Sequence, residues 1–308
     1  VNTNMENVNM ETKNVFIATL PRSGSTLIGM ILGAHSQVYH AGESAYWSKL
    51  NVKAVKCCCG VIGCHTLISI SNIISNFPVE IESINTACGM IDVMDEPTKI
   101  RHKLSHSSVI VDRHMFNLKI QQCCAGIEKV VEAARVVSGK NVIVENSKYI
   151  LIANDLLKNS REWKIIVLTR DPIGIALSSK RAGIRKGIPR PIGEKINLFA
   201  SFARRAAKLI QQENVLHLRY EDLCRNTPKA LENMCYFLKI PVEKNMLSFK
   251  KNKGHLLMGN HMMHDSNEEI REDLEWRFAL SHEEKLLFTK QNILLAYRSI
   301  GYDLNQGL

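Results

Sequence analysis

The sequence has no long hydrophobic run. No apolar stretch reaches the roughly 18 residues that a transmembrane helix needs. The first dozen residues, Val1 to Thr12, are polar and rich in asparagine, unlike the basic-then-apolar pattern of a secretory signal peptide. These absences predict a cytoplasmic protein with no membrane partner. We expect residues 1–12 to form a disordered tail and residues 13–308 to form one large domain.

Aromatic residues are also scarce, at 6% of the chain. The formal net charge is +10, and basic residues are concentrated between Lys180 and Lys195. Taken alone, this charge suits nucleic acid, a membrane surface, a small anionic ligand, or a solvated loop with no partner. The segment lacks the interleaved aromatic side chains that stack on bases. We therefore predict no nucleic-acid partner, and keep a basic nucleic-acid-binding protein only as an alternative.

The chain has nine cysteines, four of which cluster at Cys57, Cys58, Cys59 and Cys64. Disulfides are not expected in a chain without a secretion signal, so reduced thiols or a metal site are the alternatives. Zinc sites favour two separated cysteine pairs, and three consecutive cysteines cannot easily point at one ion. We therefore expect no metal. The other five cysteines lie in predicted helices and are interpreted as core thiols.

A phosphate-binding loop is predicted near the start of the chain. The run Phe16 to Leu27 has the pattern of a strand, a glycine-containing turn and the first turns of a helix. Backbone N–H groups around Ser23, Gly24 and Ser25 would point at one spot, where the helix dipole also favours an anion. We therefore expect the segment Pro21 to Thr26 to bind a phosphate group.

This loop differs from the loop that binds nucleotide triphosphates, G-x-x-x-x-G-K-[ST]. Ser25 stands where that motif needs lysine, and Thr19 stands where it needs the first glycine. The basic residue has moved forward to Arg22. No acidic residue at a strand end is placed to hold magnesium. The β,γ-phosphates of ATP or GTP are therefore disfavoured as the ligand, and a P-loop small-molecule kinase is kept as an alternative function.

Short apolar segments alternate with helical ones along most of the chain. Pro172 suits the first turn of one of these helices. The pattern predicts an α/β fold in a single domain: a P-loop-like parallel sheet flanked by helices on both faces, with ligands at the carboxyl ends of its strands. Strands are predicted at residues 16–19, 109–111, 141–144, 164–168 and 215–218, and helices at 25–34, 66–75, 117–137, 150–157, 172–180, 194–212 and 228–238.

Three strand ends carry informative residues: Pro21 to Thr26, Glu145 to Lys148, and Arg170 to Ser178. Together they resemble the cytosolic-type sulfotransferase superfamily, whose donor is 3′-phosphoadenosine 5′-phosphosulfate (PAPS). The resemblance implies that Arg22, Ser23, Gly24, Ser25 and Thr26 bind the 5′-phosphosulfate. It also implies that Arg170 and Ser178 converge on the 3′-phosphate, for which a rigid guanidinium fork and a short hydroxyl are a good pairing.

Two further elements follow the family order. The segment Leu218 to Leu223 resembles an L-R-Y-E-D-L element whose tyrosine, here Tyr220, lies near the adenine. An ordinary capped strand end is the alternative interpretation of Tyr220. The segment His255 to Asn260 resembles the glycine-containing loop that closes over the 3′-phosphate, which implies roles for Gly259 and Asn260. His261 stands where a basic residue often follows in the family.

The resemblance also points to a branch of the superfamily. Glu145-Asn146-Ser147-Lys148 is similar to an element of bacterial and Golgi-type enzymes, and Cys59-Gly60 with Cys64 is similar to a stretch common in the bacterial branch. Some members of that branch modify natural products, including guanidinium alkaloids of the saxitoxin group. The resemblance therefore implies a small-molecule acceptor, such as a secondary metabolite or an alkaloid. The sequence does not indicate the oligomeric state.

The implied reaction moves a sulfuryl group from PAPS to a hydroxyl or amine in line, and releases adenosine 3′,5′-bisphosphate (PAP). Positioning and electrostatics should do most of the work, by analogy with phosphoryl transfer. Arg22 is expected to neutralise the leaving oxygen, and Lys148 to approach the same bridge from the neighbouring strand. The sulfuryl group carries less charge than a phosphoryl group, so no metal is required.

The acceptor must lose a proton, so a base is expected near the donor sulfur. Glu43 lies 21 residues after Arg22 and resembles the catalytic glutamate of tyrosylprotein sulfotransferases. His114 is the rival, since the steroid and phenol enzymes use a histidine, and His40 is a further alternative. Glu43 has two other interpretations: a solvent-exposed loop carboxylate, or a group that binds a cationic acceptor.

Overall fold

Five parallel strands form one sheet in the computed structural model, which describes residues 12–95, 113–188, 191–251, 254–257, 263 and 269–304. The spatial order is β2-β3-β1-β4-β5, and every neighbouring pair is parallel. The predicted α/β class with a parallel sheet is confirmed. The strands are β1 (Lys13–Thr19), β2 (Val38–Gly42), β3 (Val142–Lys148), β4 (Trp163–Thr169) and β5 (Val215–Arg219).

Helices connect the strands and cover the sheet. The longest described helix, α4, spans 26 residues and packs against α3 and α2. In the described ranges no helix combines the length and apolarity that crossing a bilayer requires. The helices are α1 (Ser25–Gly33), α2 (His65–Ile74), α3 (Pro78–Asp95), α4 (Arg113–Ser138), α5 (Ile150–Asn159), α6 (Pro172–Arg185), α7 (Ile196–Leu209), α8 (Tyr220–Arg225), α9 (Thr227–Leu238), α10 (Trp276–Ala279), α11 (His282–Leu286) and α12 (Gln291–Arg298).

The central strands are buried on both faces, as their continuous apolar sequences predict. Every residue of β1 is buried, and Phe16 packs edge-to-face on Trp163 of β4 with ring centroids 6.4 Å apart. Helix α6 begins where proline was expected to start it. Asp171 is its N-cap and accepts a hydrogen bond from the Ile173 N–H at 2.8 Å, and Pro172 occupies the first turn.

Strand β2 and helix α3 were not predicted from the sequence. No regular element was predicted between the first helix and residue 66, and the β2 segment is short and contains a histidine and a glycine. Its backbone nevertheless pairs with β3, and His40 packs into α1 so closely that a Cβ on Gly29 would overlap the imidazole ring. Several helix boundaries also differ: α4 begins at Arg113, α6 continues to Arg185, and α7 spans Ile196–Leu209 after a 3-10 turn.

The strand order determines which loops meet. Strand β1 lies between β3 and β4, so the segments that follow these three strands are neighbours at the carboxyl edge. These segments are the three that carry the predicted motifs. Strand β2 ends beside β3, which brings Glu43 to the same edge. The predicted strand at 109–111 and the predicted disordered tail, except Thr12, lie outside the described residues.

Candidate active site

A cavity of about 1110 Å³ opens at the carboxyl edge of the sheet. Most of the predicted site residues line it, although they come from separate parts of the chain. Ser23 and His114 are described but do not line it, and Gly259 and Asn260 lie outside the described residues. The predicted residues on the cavity wall are Arg22, Gly24, Ser25, Thr26, Glu43, Lys148, Arg170, Ser178 and Tyr220.

The loop between β1 and α1 is tightly constrained. Gly24 has φ +98°, and a Cβ at this position would lie 2.8 Å from Cδ2 of Tyr220. Arg22 also has a left-handed backbone, with φ 76°, which a non-glycine residue rarely adopts. The Ser23 N–H donates to the Leu20 carbonyl at 3.3 Å, and the Ser23 side chain is buried. The Ser23 N–H therefore takes part in a local turn, and its expected contact with a phosphate group stays a prediction.

Arg170 is held on several sides at the end of β4. Its Nη1 donates to the Arg22 carbonyl at 2.9 Å, its Nη2 lies 3.3 Å from Asp273 Oδ2, and its guanidinium carbon stands 4.3 Å from the centroid of the Tyr220 ring. A buried guanidinium needs such partners to offset its lost hydration. These contacts fix the guanidinium against the phosphate-binding loop.

A hydrogen bond joins this loop to helix α6. The Nε of Arg22 donates to the Ser178 Oγ at 3.0 Å, although the two residues are 156 positions apart in the sequence. Ser178 lies in the second turn of α6, eight residues after Arg170 in the sequence. The two predicted phosphate-binding motifs therefore meet in one place.

Glu43 and Lys148 form an ion pair on the cavity wall. Lys148 has a left-handed backbone with φ 79°, at the point where the register between β1 and β3 shifts. The β2–β3 register shifts at Gly42, immediately before Glu43. Register shifts of this kind re-aim side chains at the ends of strands. Both side chains are mostly buried, with 20% of Glu43 and 14% of Lys148 exposed.

The carboxylate of Glu145 organises this ion pair. It is fully buried and accepts hydrogen bonds from the Ser44 N–H at 2.9 Å, the Ser147 N–H at 2.9 Å and the Ser147 hydroxyl. Burial raises the pKa of Glu145, and these hydrogen bonds oppose the rise. Ser44 follows Glu43 and Ser147 precedes Lys148, so Glu145 positions both. Sequence reasoning missed this role, although an acidic residue inside an apolar strand is its signal.

The two histidine alternatives are not at the cavity. His114 is the second residue of α4 and its side chain is exposed. His40 is sealed beneath α1, where burial, with a smaller effect from the Lys148 charge, lowers its pKa to about 3. Of the three proposed bases, only Glu43 lines the cavity.

The far side of the cavity was not predicted in detail. The basic residues between Lys180 and Lys195 have two kinds of surroundings. Lys180 pairs with Glu284 at 2.6 Å and Arg181 pairs with Glu275, whereas Arg185, Lys186 and Lys195 line the cavity. Apolar side chains complete this wall. The unpredicted basic residues are Lys49, Arg185, Lys186, Lys195 and Arg205, and the apolar ones include Ile91, Leu151, Leu198 and Phe202.

The sequence model of the sulfotransferase domain matches residues 12–291, which is most of the chain. The chain belongs to the sulfotransferase family. The family membership expected from the three strand-end motifs is therefore confirmed. No curated protein sequence matches this sulfotransferase.

Solved structures agree on the fold. The sulfotransferase domain of the Synechococcus PCC 7002 olefin synthase is 15% identical, with 97% of this chain and 98% of that chain covered and a TM-score of 0.50. Mouse sulfotransferase SULT7A1, solved in complex with PAP, is 12% identical, with 96% and 87% covered and a TM-score of 0.52. At these identities the likeness concerns the fold alone.

Proposed function

We propose that this sulfotransferase uses PAPS as its donor and transfers the sulfuryl group to a hydroxyl or amine of a small-molecule acceptor, releasing PAP. The observation that carries the proposal is the meeting of two anion-binding motifs, joined by the Arg22–Ser178 hydrogen bond, in one cavity. PAPS has an anionic group at each end of one nucleoside, which matches this arrangement.

The donor would lie along the carboxyl edge of the sheet. Its 5′-phosphosulfate would contact Arg22 and the amino end of α1, and its 3′-phosphate would contact Arg170 and Ser178. The Tyr220 ring lies beside Arg170 and the Gly24 turn, so the adenine would pack near it. The proposed contacts of Gly259 and Asn260 rest on the family resemblance.

Transfer would follow an in-line course. The acceptor atom attacks sulfur, the bond between sulfur and the bridging oxygen breaks, and negative charge develops on the 5′-phosphate oxygen of PAP. Arg22 and Lys148 would stabilise that charge. Glu43 would take the proton of the acceptor and become neutral, so that Lys148 would lose its anionic partner. The ammonium charge then acts more fully on the leaving oxygen, so the ion pair couples proton removal to bond cleavage.

The cavity also indicates the charge of the acceptor. Among the described residues that line it, Glu43 is the single acidic side chain, while eight are basic: Arg22, Lys49, Lys148, Arg170, Arg185, Lys186, Lys195 and Arg205. Like charges repel strongly in a partly buried site, so this balance disfavours a cationic alkaloid. We infer an acceptor with an acidic group, and with an apolar part that packs against Leu198 and Phe202. A secondary metabolite of this kind remains compatible with the proposal.

The proposed location is the cytoplasm, and the thiols support it. All nine cysteines are free, as expected in a reducing compartment. A small-molecule acceptor also agrees with the volume of the cavity, about 1110 Å³. A nucleic-acid partner is not part of the proposal.

A thermal-shift titration tests the donor assignment against the two alternatives. PAP should raise the melting temperature with increasing concentration, because a ligand that binds only the native state stabilises it. A kinase would respond to ATP with magnesium, and a nucleic-acid-binding protein would respond to an oligonucleotide in a salt-sensitive way. Absence of stabilisation by PAP would contradict the proposal. Radiolabelled PAPS with matched acidic, neutral and basic acceptors would then test the acceptor charge.

A further inference from the structure

The cysteine cluster forms a short hairpin outside the active-site cavity. The Cys57 N–H donates to the Val61 carbonyl at 2.9 Å, and Lys56 pairs with Ile62 in antiparallel orientation. The Gly60 N–H donates to the Cys57 carbonyl at 2.9 Å, and Gly60 has φ +93°, which closes the turn. The hairpin therefore presents several thiols from a compact backbone.

Three of these thiols meet a histidine from a distant segment. The Sγ atoms of Cys57, Cys59 and Cys64 and one ring nitrogen of His255 all lie within 4.8 Å of one another. The Nδ1 of His255 is 3.2 Å from Cys64 Sγ and 3.9 Å from Cys57 Sγ. We propose that these four side chains bind one zinc ion in a tetrahedral Cys₃His site.

The spacing of the donor atoms fits a single ion. A tetrahedral site with zinc–sulfur bonds of about 2.3 Å places its sulfur atoms about 3.8 Å apart. The observed separations therefore surround a space the size of one metal ion. Thiolate and imidazole ligands in a closed tetrahedral set are typical of structural zinc, and a cluster of several irons would need a wider set.

The presence of three consecutive cysteines is not an obstacle, because the middle one points elsewhere. Cys58 Sγ donates to the Gly254 carbonyl at 2.9 Å and accepts from the Leu256 N–H at 3.2 Å. The chain turns between Cys57 and Gly60, which brings Cys57 Sγ and Cys59 Sγ close together while Cys58 Sγ contacts the backbone of residues 254–256. The objection raised from the sequence therefore does not apply.

Contacts around the site orient its histidine. Cys58 holds the backbone on both sides of His255, and the Tyr39 hydroxyl donates to the His255 carbonyl at 2.7 Å. Hydrogen bonds from neighbouring groups to a ligating residue fix the orientation of that ligand in metal sites. They leave Nδ1 directed at the thiols, so Nε2 would carry the proton in the metal-bound form.

Binding would balance protons and charge in a defined way. Three thiols lose their protons as zinc enters, and three thiolates with one Zn²⁺ leave a net charge of −1 on the site. Cys59 and His255 are partly exposed, which gives the ion a path from solvent. None of the four ligands lines the active-site cavity. The ion would therefore be structural, and would join two segments 191 residues apart in the sequence.

Metal content of the purified full chain tests the proposal without any measurement of turnover. Protein expressed with zinc and purified without chelators should contain about one zinc per chain by mass spectrometry of the metal. Cys64→Ser and His255→Ala should lose most of that zinc. Cys58→Ser is the matched control, since it replaces a thiol that is not a ligand with a hydroxyl that can also donate to the Gly254 carbonyl and accept from the Leu256 N–H, and it should keep about one zinc per chain. Zinc-free wild-type protein, or equal loss in Cys58→Ser and Cys64→Ser, would overturn the proposal.

The wild-type protein supplies a second test if a variant fails to fold. X-ray absorption at the zinc edge should show three sulfur atoms at about 2.3 Å and one nitrogen at about 2.0 Å. Chelation should lower the melting temperature, and added zinc should restore it. A disulfide among these cysteines by intact-mass measurement, or visible absorption from an iron–sulfur cluster, would overturn the assignment to zinc.

Discussion

The two ends of the active-site cavity are built in different ways. At the end that we assign to the donor, Arg22, Lys148 and Arg170 lie at the ends of three adjacent strands, and the sheet itself determines their positions. At the end that we assign to the acceptor, most of the lining side chains lie on helices α3, α5, α6 and α7, whose positions depend on packing between distant segments. A sheet edge therefore gives a local sequence motif a definite place in space. A helix surface does not.

Backbone strain follows the same division. Three non-glycine residues in the described chain have positive φ, and two of them, Arg22 and Lys148, stand at the donor end. The third, Lys239, is an ordinary helix C-cap. Strain of this kind costs about 1–3 kcal/mol per residue and persists only where the surroundings enforce it. We infer that the donor end is preorganised by the strands around it.

The largest effect is expected for Glu43→Gln, which removes the proposed base while preserving size. Loss of a general base lowers kcat by about 10²- to 10⁴-fold. PAP affinity should change little, because the variant keeps Lys148 and the loop. Steady-state kinetics measures kcat, and calorimetric titration with PAP measures the PAP affinity. His114→Ala is the control and should have near-normal turnover. The reverse pattern would assign the base to His114.

Arg170→Ala should weaken PAP binding by about 30- to 1000-fold. The change removes a buried guanidinium and leaves the Asp273 carboxylate without its cationic partner. Loss of one partner from a buried charge pair costs about 2–4 kcal/mol. Isothermal titration calorimetry measures the affinity. Arg225→Ala is the matched control, because Arg225 also pairs with a carboxylate, Glu272, but lies outside the cavity. Unchanged PAP affinity in Arg170→Ala would contradict the proposal that Arg170 binds the 3′-phosphate.

Gly24→Ala should lower the free energy of unfolding by about 2–3 kcal/mol, because it adds a left-handed alanine and a collision with Tyr220. Gly139→Ala separates the two causes. Gly139 also has positive φ, at +65°, but an added Cβ meets nothing within 4 Å. The free energy of unfolding of this control should fall by about 1 kcal/mol. Denaturant unfolding of both variants measures the difference, and equal losses would show that the Tyr220 contact does not constrain the loop.

Asp171 gives the donor end a pH dependence. Burial, followed by a smaller effect from Glu221, raises the pKa of Asp171 to about 6. The native state then binds more protons than the unfolded state between about pH 4 and pH 6, so stability from this group falls as the pH rises through that window. This rise in pKa corresponds to about 3 kcal/mol of stability across the window. Asp171→Asn keeps an N-cap acceptor but cannot titrate. The stability difference between the two proteins should therefore depend on pH, and a constant difference would contradict the shift.

The sequence predicted that Pro21 to Thr26 and Arg170 to Ser178 lie at the same edge of the sheet, and the structure has them there. Each segment contains a strand end and the start of a helix, so its placement needs no knowledge of distant contacts. The phosphate contacts of these residues stay predictions. Strand β2 was not predicted because it forms through its pairing with β3, and the local sequence contains no sign of that pairing.

Other features depended on contacts between distant segments. Glu145 organises the ion pair only because β2 and β3 are neighbours. His255 reaches the cysteine hairpin from 191 residues away, so spacing within the hairpin could not reveal it. The basic acceptor wall also combines α6 with α7. In each case the decisive information was tertiary packing.

The smallest effect is expected at the acceptor end, where adjacent arginines on α7 offer a matched pair. Arg205 lines the cavity, while Arg204 is exposed and does not. Arg205→Ala should raise KM for an acidic acceptor by about fivefold, which corresponds to about 1 kcal/mol for a partly screened charge, and should leave PAP affinity unchanged. Arg204→Ala should change neither value. Weaker PAP binding in Arg205→Ala would instead place this residue in the donor site, and the two ends of the cavity would no longer be separate.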